Sequence, residues 1–269
     1  MKPAFKEALR SVFAALARRS PADYTKELGL KLYARKAARS PEYRSWVEVV
    51  GDERFARHYG HTRVDDPFTL EHLKWQLFEV TRALRRRVGL APSMGRVLDA
   101  GASDGLFLEA LGARWGLGYN LLEACVVQIQ KDGWLACRGD IEALPFRDQS
   151  FDAVVCCETL EHVPNPVRAL CEFARVCRGR LYLTIPGVAA TRVCPRSDTS
   201  PSVDTGHVFE LSPRDFATML SHTPWRLVHS EVVRIFPRVS NPVHSLVLGQ
   251  VLFPRYFPVL QLHELTRAD

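Results

Sequence analysis

Val97-Leu98-Asp99-Ala100-Gly101-Ala102-Ser103-Asp104-Gly105 is the stretch on which the fold turns. Val97–Ala100 has the length and apolar weight of a short buried strand. Glycines at 101 and 105 then let the backbone turn sharply and approach a ligand closely. A glycine turn after a strand also occurs in dinucleotide sites, but two features here oppose a pyrophosphate. The spacing is G-x-x-x-G, not G-x-G-x-x-G. Asp99 and Asp104 put carboxylates around the loop, which would repel phosphate and suit a cation.

Downstream of the turn, short apolar strands alternate with helical segments. A helix is expected over Leu106–Trp115, a strand over Tyr119–Leu122 ending at Glu123, and a third strand over Trp134–Arg138. Phe151–Cys157 reads as a buried strand, Pro166–Cys177 as a helix and Leu181–Ile185 as a strand. Such alternation implies a doubly wound, mostly parallel α/β sheet with helices on both faces. Ligands bind such sheets at the C-terminal strand ends, where the strand order reverses. Glu123, 22 residues after Gly101, stands where an acidic side chain accepts both ribose hydroxyls; its plain alternative is a surface carboxylate. Asp140 ends the third strand, suited to an adenine amino group, with Ile141 suited to the adenine face. The alternative for Asp140 is a helix cap. S-adenosylmethionine (SAM) carries an ammonium and a sulfonium and no phosphate, so it fits the acidic glycine turn better than NAD does.

Residues 1–95 read as a helical extension or lid, and 96–269 as the core. Phe5, Leu9, Val12, Phe13 and Leu16 recur at helical spacing on a basic segment. Ser20-Pro21 and Ser40-Pro41 are helix stops. Thr69–Leu90 is a further helix whose basic end, Arg85-Arg86-Arg87, complements the helix dipole. The loop Ala91-Pro92-Ser93-Met94-Gly95 marks the boundary. Beyond the core motifs, Trp225–Phe236 looks like strand. Val243–Leu262 is apolar but broken by Pro254 and Pro258, and it has three readings: it completes the sheet, covers the site or touches a membrane. The loop Gly187–Gly206 is a lid over the acceptor or a plain surface loop.

Bulk properties exclude several classes. The 269 residues are 46% apolar and 25% charged, enough for an ordinary core. No apolar run approaches the ~20 residues of a membrane-spanning helix. Met1–Ser20 intersperses Lys2, Lys6, Arg10, Arg18 and Arg19, unlike a signal peptide. Seven cysteines without a C-x-x-C pair fit neither a disulfide framework nor a zinc site. They read as reduced thiols of a cytoplasmic protein, and no metal site is evident. The net charge of +6 is uneven: residues 1–96 hold 20 Lys/Arg against 11 Asp/Glu, the remainder 16 against 19. The basic N-terminal part has three functional readings: a lid, an amphipathic helix at the membrane surface, or an RNA contact. A solvated helical face is the plain one.

The run Gly139-Asp140-Ile141-Glu142-Ala143-Leu144-Pro145-Phe146-Arg147-Asp148-Gln149-Ser150-Phe151-Asp152-Ala153-Val154-Val155, followed by Thr159-Leu160-Glu161-His162-Val163, resembles class I SAM-dependent methyltransferases of the type 11 group. That group includes ubiquinone and menaquinone biosynthesis enzymes. The resemblance covers about residues 96–220. It implies a seven-stranded Rossmann-like sheet with SAM as methyl donor. It also implies Asp99, Gly101 and Gly105 around the methionine moiety, Glu123 on the ribose, and Asp140 with Ile141 on the adenine, with Ala102, Ser103, Ala124 and Glu142 also among the cofactor-binding residues. Glu158 is then near the cofactor. Ser103 departs from the middle glycine of many members, a position where serine is tolerated.

Methyl transfer from an activated sulfonium depends mainly on alignment. A general base is needed only for an acceptor of high pKa. The candidates are His162, Glu161 and His207; the last lies in Gly206-His207-Val208-Phe209-Glu210-Leu211-Ser212-Pro213, which resembles a segment after the fifth strand of the same group. Ser212 is the N-cap of the next helix, with Pro213 in its first turn. The expected acceptor is a small molecule or a lipid-like molecule. Nucleic acid ranks below it. The D/N-P-P-Y/F signature of amino-methylating nucleic-acid enzymes is replaced by Cys156-Cys157-Glu158-Thr159, and no aromatic-basic recognition module is present. The competing readings are an RNA methylase recruited by the basic segment and a non-catalytic SAM-binding scaffold. Oligomeric state is left open.

Overall fold

The structure, a computed structural model, describes residues 21–58, 66–88, 95–188, 190–193, 206–236 and 259–268, together with 7, 8, 11, 12 and 15. Most of the helix expected around Phe5–Leu16, most of the 187–206 loop, residues 91–94 and residues 243–258 lie outside the described residues. Where the sequence places one boundary at residue 95, contacts divide the chain into two compact units. One comprises Met1–Glu79 and Arg234–Pro258, the other Val80–Val233 and Val259–Asp269.

The first unit holds helices α1 (Pro21–Ala38), α2 (Pro41–Val50), α3 (Asp52–His58) and the start of α4 (Pro67–Val88). Pro21 and Pro41 open helices, because a missing N–H costs nothing in a first turn. Ser40 caps α2 by accepting from Tyr43 N. An aromatic cluster forms the core. Tyr43 stacks on Trp75 with centroids 3.6 Å apart, and Phe78 meets both edge-on. Tyr33 lies against Phe68 and Phe236. Lys36 Nζ lies over the Trp75 ring and pairs with Glu79 at 2.9 Å.

The second unit is the sheet. Its strands are β1 (Arg96–Ala100), β2 (Trp115–Asn120), β3 (Leu135–Arg138), β4 (Phe151–Cys157), β5 (Cys177–Gly187), β8 (Trp225–Val233) and β9 (Val259–Arg267); the short β6 (Arg192–Val193) and β7 (Phe209–Glu210) pair apart from it. The order is β3-β2-β1-β4-β5-β9-β8. Pairings from β3 through β5 are parallel, and β9 runs antiparallel between β5 and β8. Chain order therefore reverses between β1 and β4, which opens the crevice at their C-terminal ends. The intervening helices are α5 (Leu106–Leu111), α6 (Glu123–Lys131), α7 (Pro166–Val176) and α8 (Pro213–Leu220). Asn165 caps α7 and Ser212 caps α8, each accepting from a backbone N–H three residues on. Ala169, Leu170, Phe173, Ala174 and Val176 bury one face of α7.

The expected seven-stranded, mostly parallel sheet is present, with shifted boundaries. The helix expected to reach Trp115 stops at Leu111, because Gly112 takes a left-handed C-cap at φ 66°. Trp115 then begins β2. The described end of the 243–262 segment belongs to β9, so at least residues 259–262 complete the sheet. β9 is covered on both faces, with Leu260, Leu262 and Leu265 buried beside Gln261, His263 and Glu264. Arg87 and Arg180 both pair with Glu264, at 3.0 and 2.7 Å, so one member of the basic end of α4 also answers a buried carboxylate. Among the described residues no helix is long and apolar enough to cross a membrane. The described cysteines are free thiols, and Cys156, Cys157 and Cys177 are buried.

Two buried histidines set an acid limit on stability. Burial lowers His263 to about 4; it lowers His72 to about 3, with Lys36 adding to the effect. Both ring nitrogens of His263 lack a hydrogen-bond partner, and its ring stacks on Phe216 at 4.4 Å. The folded pKa lies below the unfolded value near ~6.5, so this stability is present above that value and lost as pH falls toward 4. The urea midpoint of the wild type should drop between pH 7 and 5, and His263→Leu should flatten part of that drop. Identical acid limbs in the two proteins would show that His263 does not contribute.

Candidate active site

The glycine turn lies at the switch point between β1 and β4. Gly101 N and Ala102 N both donate to Tyr119 O, at 2.8 and 3.2 Å, so β2 clamps the turn. Gly105 N donates to Ala102 O at 2.7 Å and closes it. Gly101 and Gly105 hold φ of 91° and 80°, the left-handed region where side chains are strained. A Cβ on Gly101 would also run into the Thr159 side chain, which comes from the loop after β4. Ser103 adopts φ 45° at the apex. Ala102 is fully buried.

Asp99, one residue from the end of β1, is buried, and its Oδ2 has no hydrogen-bond partner. Burial, and then the neighbouring Asp104, push its carboxyl up to about 7. A carboxylate in dry surroundings beside a second acid is costly unless a cation or donor answers it.

The neighbouring strand ends differ from those expected. β2 stops at Asn120, and Glu123 is the first residue of α6. The Glu123 side chain is exposed and pairs with Arg138 Nη1 at 3.1 Å; Ala124 follows it in the same helical turn. The residue at the strand end is Asn120, whose Oδ1 accepts from Leu122 N at 2.9 Å. Sequence reasoning misses it because Gly116 and Gly118 blank the apolar pattern of β2, so the pattern starts the strand at Tyr119. Those glycines exist for packing: a Cβ at 116 would strike Leu108, and one at 118 would strike Ile129.

After β3, Asp140 is exposed and its Oδ1 accepts from Glu142 N at 2.9 Å. Ile141 is buried in the core cluster with Tyr119 and Leu144. Glu142 Oε1 accepts from Asn165 N at 2.8 Å and ties this turn to the start of α7.

The residues after β4 converge on the acceptor side. Glu158, at φ 48°, donates its N–H to Thr184. A 3-10 turn over Leu160–His162 buries Glu161 and leaves His162 half-buried. The segment from 206 returns here, with Val208 N donating to Glu161 O at 2.7 Å. His207 Nδ1 lies 2.9 Å from Glu210 Oε1 and its Nε2 lies 3.8 Å from Glu161 Oε1. The His162 and His207 rings meet edge-on with centroids 4.7 Å apart. All three sequence candidates are thus together, joined by the buried Glu210, which the sequence did not single out. Beside them a small, largely apolar recess is lined by Leu160, Glu161, Pro166, Ile185, Pro186, Phe209 and Leu211.

Comparison with known proteins agrees with this architecture. Residues 98–183 match the family described as Methyltransferase domain. The chain is 38% identical over 96 residues to a demethylmenaquinone methyltransferase of Roseiflexus castenholzii, covering 32% of this chain and 40% of that protein. It is 27% identical over 129 residues to a phosphatidylethanolamine N-methyltransferase of Cereibacter sphaeroides, covering 42% of this chain and 64% of that protein. The matches therefore span less than two thirds of either relative. Magnesium protoporphyrin IX methyltransferase of Synechocystis PCC 6803, solved with bound SAH, has the same fold: TM-score 0.54, 15% identity, 84% of this chain and 98% of that one. The resemblance to class I methyltransferases and the doubly wound methyltransferase fold are both borne out.

Asp99 gives the ligand-free protein a pH dependence opposite to that of the histidines. Its folded pKa near 7 exceeds the unfolded value near ~3.9, so its contribution is full below that value and lost as pH rises through 7. Asp99→Asn should therefore be more stable than wild type at pH 8, with the difference shrinking toward pH 5. Parallel thermal-unfolding curves across this range would count against the buried, unanswered carboxylate.

Proposed function

We propose that this chain is a SAM-dependent methyltransferase acting on a small-molecule or lipid-like acceptor. The observation that carries this reading is the buried Asp99 carboxylate with a partnerless oxygen, next to a glycine turn too tight for a Cβ at 101. Those residues fit a cationic, phosphate-free cofactor. When bound, SAM supplies a methyl group on a sulfonium that is already activated.

The protein's own residues bind and orient. Asp99 supplies the negative charge, and the turn of Gly101, Ala102, Ser103 and Gly105 admits the methionine part. Asn120, at the end of β2, takes the ribose role first given to Glu123; Glu123 and Ala124 border it. The second carboxylate oxygen of Asp140 is the adenine acceptor, beside Ile141 and Glu142, and Glu158 borders the cofactor. On the acceptor side, the recess beside Glu161 has a largely apolar lining, which favours an apolar part of the acceptor. His207, oriented by Glu210, is the general base if the acceptor's proton must leave first, with His162 and Glu161 beside it. The acceptors named for the two relatives are lipid-like, which supports this choice. We read the protein as cytoplasmic, with the basic N-terminal segment as the contact with an anionic membrane surface.

Calorimetric titration with SAM tests the cofactor half. The wild type should bind saturably and Gly101→Asp should not. Asn120→Ala should bind about tenfold more weakly, the ~1.4 kcal/mol of one or two lost hydrogen bonds. Glu123→Ala should stay within about threefold of wild type, as expected for an exposed ion pair. Absence of SAM binding by folded wild type would sink the proposal; the reverse order of the two variants would return the ribose role to Glu123. Methyl-labelled SAM with demethylquinones and phosphatidylethanolamine vesicles then tests the acceptor class.

A further inference from the structure

We infer that Glu161, His162 and His207 form a divalent transition-metal site at the acceptor side of the sheet. Each offers one ligand atom, and these three atoms all lie within 4.8 Å of one another. In a tetrahedral shell with bonds of ~2.0–2.1 Å, ligand atoms stand roughly 3.4 Å apart. The His207 Nε2–Glu161 Oε1 separation of 3.8 Å is already close to that.

Three further observations point the same way. The ligand set of one carboxylate and two imidazoles is the borderline-soft mixture that zinc-class ions favour. Glu161 is a carboxylate buried to 4% exposure, and a bound cation offsets the burial of its charge. Finally, Glu210 is buried and its Oε1 lies 2.9 Å from His207 Nδ1. A carboxylate beside Nδ1 favours a proton on that nitrogen, and Nε2 is the ring atom that faces Glu161. This is the carboxylate–histidine pairing that orients metal-bound imidazoles.

Three protein ligands leave a fourth position open. Glu161 also lines the apolar pocket with Leu160, Pro166, Ile185 and Phe209, so one ligand of the site borders the space assigned to the acceptor. An acceptor with an oxygen or nitrogen donor would complete the shell and ionise more readily there. This last point rests on the methyl-transfer reading, and with metal bound the ionised acceptor takes over from the base role of His207, whose Nε2 is then a ligand; the site itself does not rest on that reading.

The test is titration of the full chain with Co²⁺, followed by visible ligand-field absorption and displacement by Zn²⁺. A single saturable equivalent without a near-UV thiolate band is expected. His207→Gln, Glu161→Gln and His162→Gln should each weaken it about 100-fold, and Glu210→Gln by about 10- to 100-fold. The exposed His222→Gln should leave it unchanged. Thermal unfolding in EDTA checks that each variant is folded. His162, half-buried, tolerates replacement if the buried positions do not, and loss of the metal-induced rise in Tm reads out the same site. No saturable binding by wild type, a thiolate band, or full affinity in His162→Gln overturns the inference. SAM binding measured alongside separates the two proposals. SAM without metal leaves the cofactor reading intact, and metal without SAM leaves a metal site on a protein of another activity.

Discussion

Two backbone hydrogen bonds onto one carbonyl oxygen hold the candidate site together. Gly101 N and Ala102 N both donate to Tyr119 O, so the turn after β1 is fastened to the end of β2 before any ligand arrives. On its other side the turn is pressed against Thr159, which leaves no room for a Cβ at 101. The first two strands and the loop after β4 thereby meet at one backbone position. Everything proposed for the cofactor depends on this closure, because it fixes where Asp99, Asn120 and Glu158 stand relative to the crevice.

The chain tolerates costly electrostatics near that crevice and little of it elsewhere in the sheet. Asp99 is buried without a counter-charge, and Glu161 and Glu210 bring two buried carboxylates to one imidazole. Away from the crevice, buried or half-buried carboxylates have strong partners. Glu264 is held by Arg87 and Arg180, and Glu172 by Arg175, which also reaches Leu144 O and Phe146 O. Unfavourable charge confined to one edge of a sheet, with the rest neutralised, is how binding sites pay for ligand recognition. The acceptor side follows the same logic as the cofactor side, which is why a cation suits both.

The far edge of the sheet is built by a different device. β9 enters antiparallel between β5 and β8 and is covered on both faces, so polar Gln261, His263 and Glu264 are buried with its leucines. Arginines answer Glu264, whereas His263 is kept neutral by burial alone. The strand thus combines two ways of burying a titratable group, and the second makes stability sensitive to acid.

By itself the sequence determined the class of fold, the glycine turn and most strand positions. Those signals are local: apolar runs mark β1 and β4, and paired glycines need no partner to be read. It also named Glu161, His162 and His207, although it could not say that they touch. Tertiary structure decided what depends on distant partners. Gly116 and Gly118 hid the true start of β2, since they are small only because Leu108 and Ile129 press on them, and the strand end moved from Glu123 to Asn120. Completion of the sheet by β9 is only one of three readings, because its alternation is lost when both faces are buried. The convergence of His207 and Glu210 on Glu161 rests on one backbone bond, Val208 N to Glu161 O, between segments far apart in the chain. No periodicity within either segment encodes that contact, because only the packed sheet brings the two together.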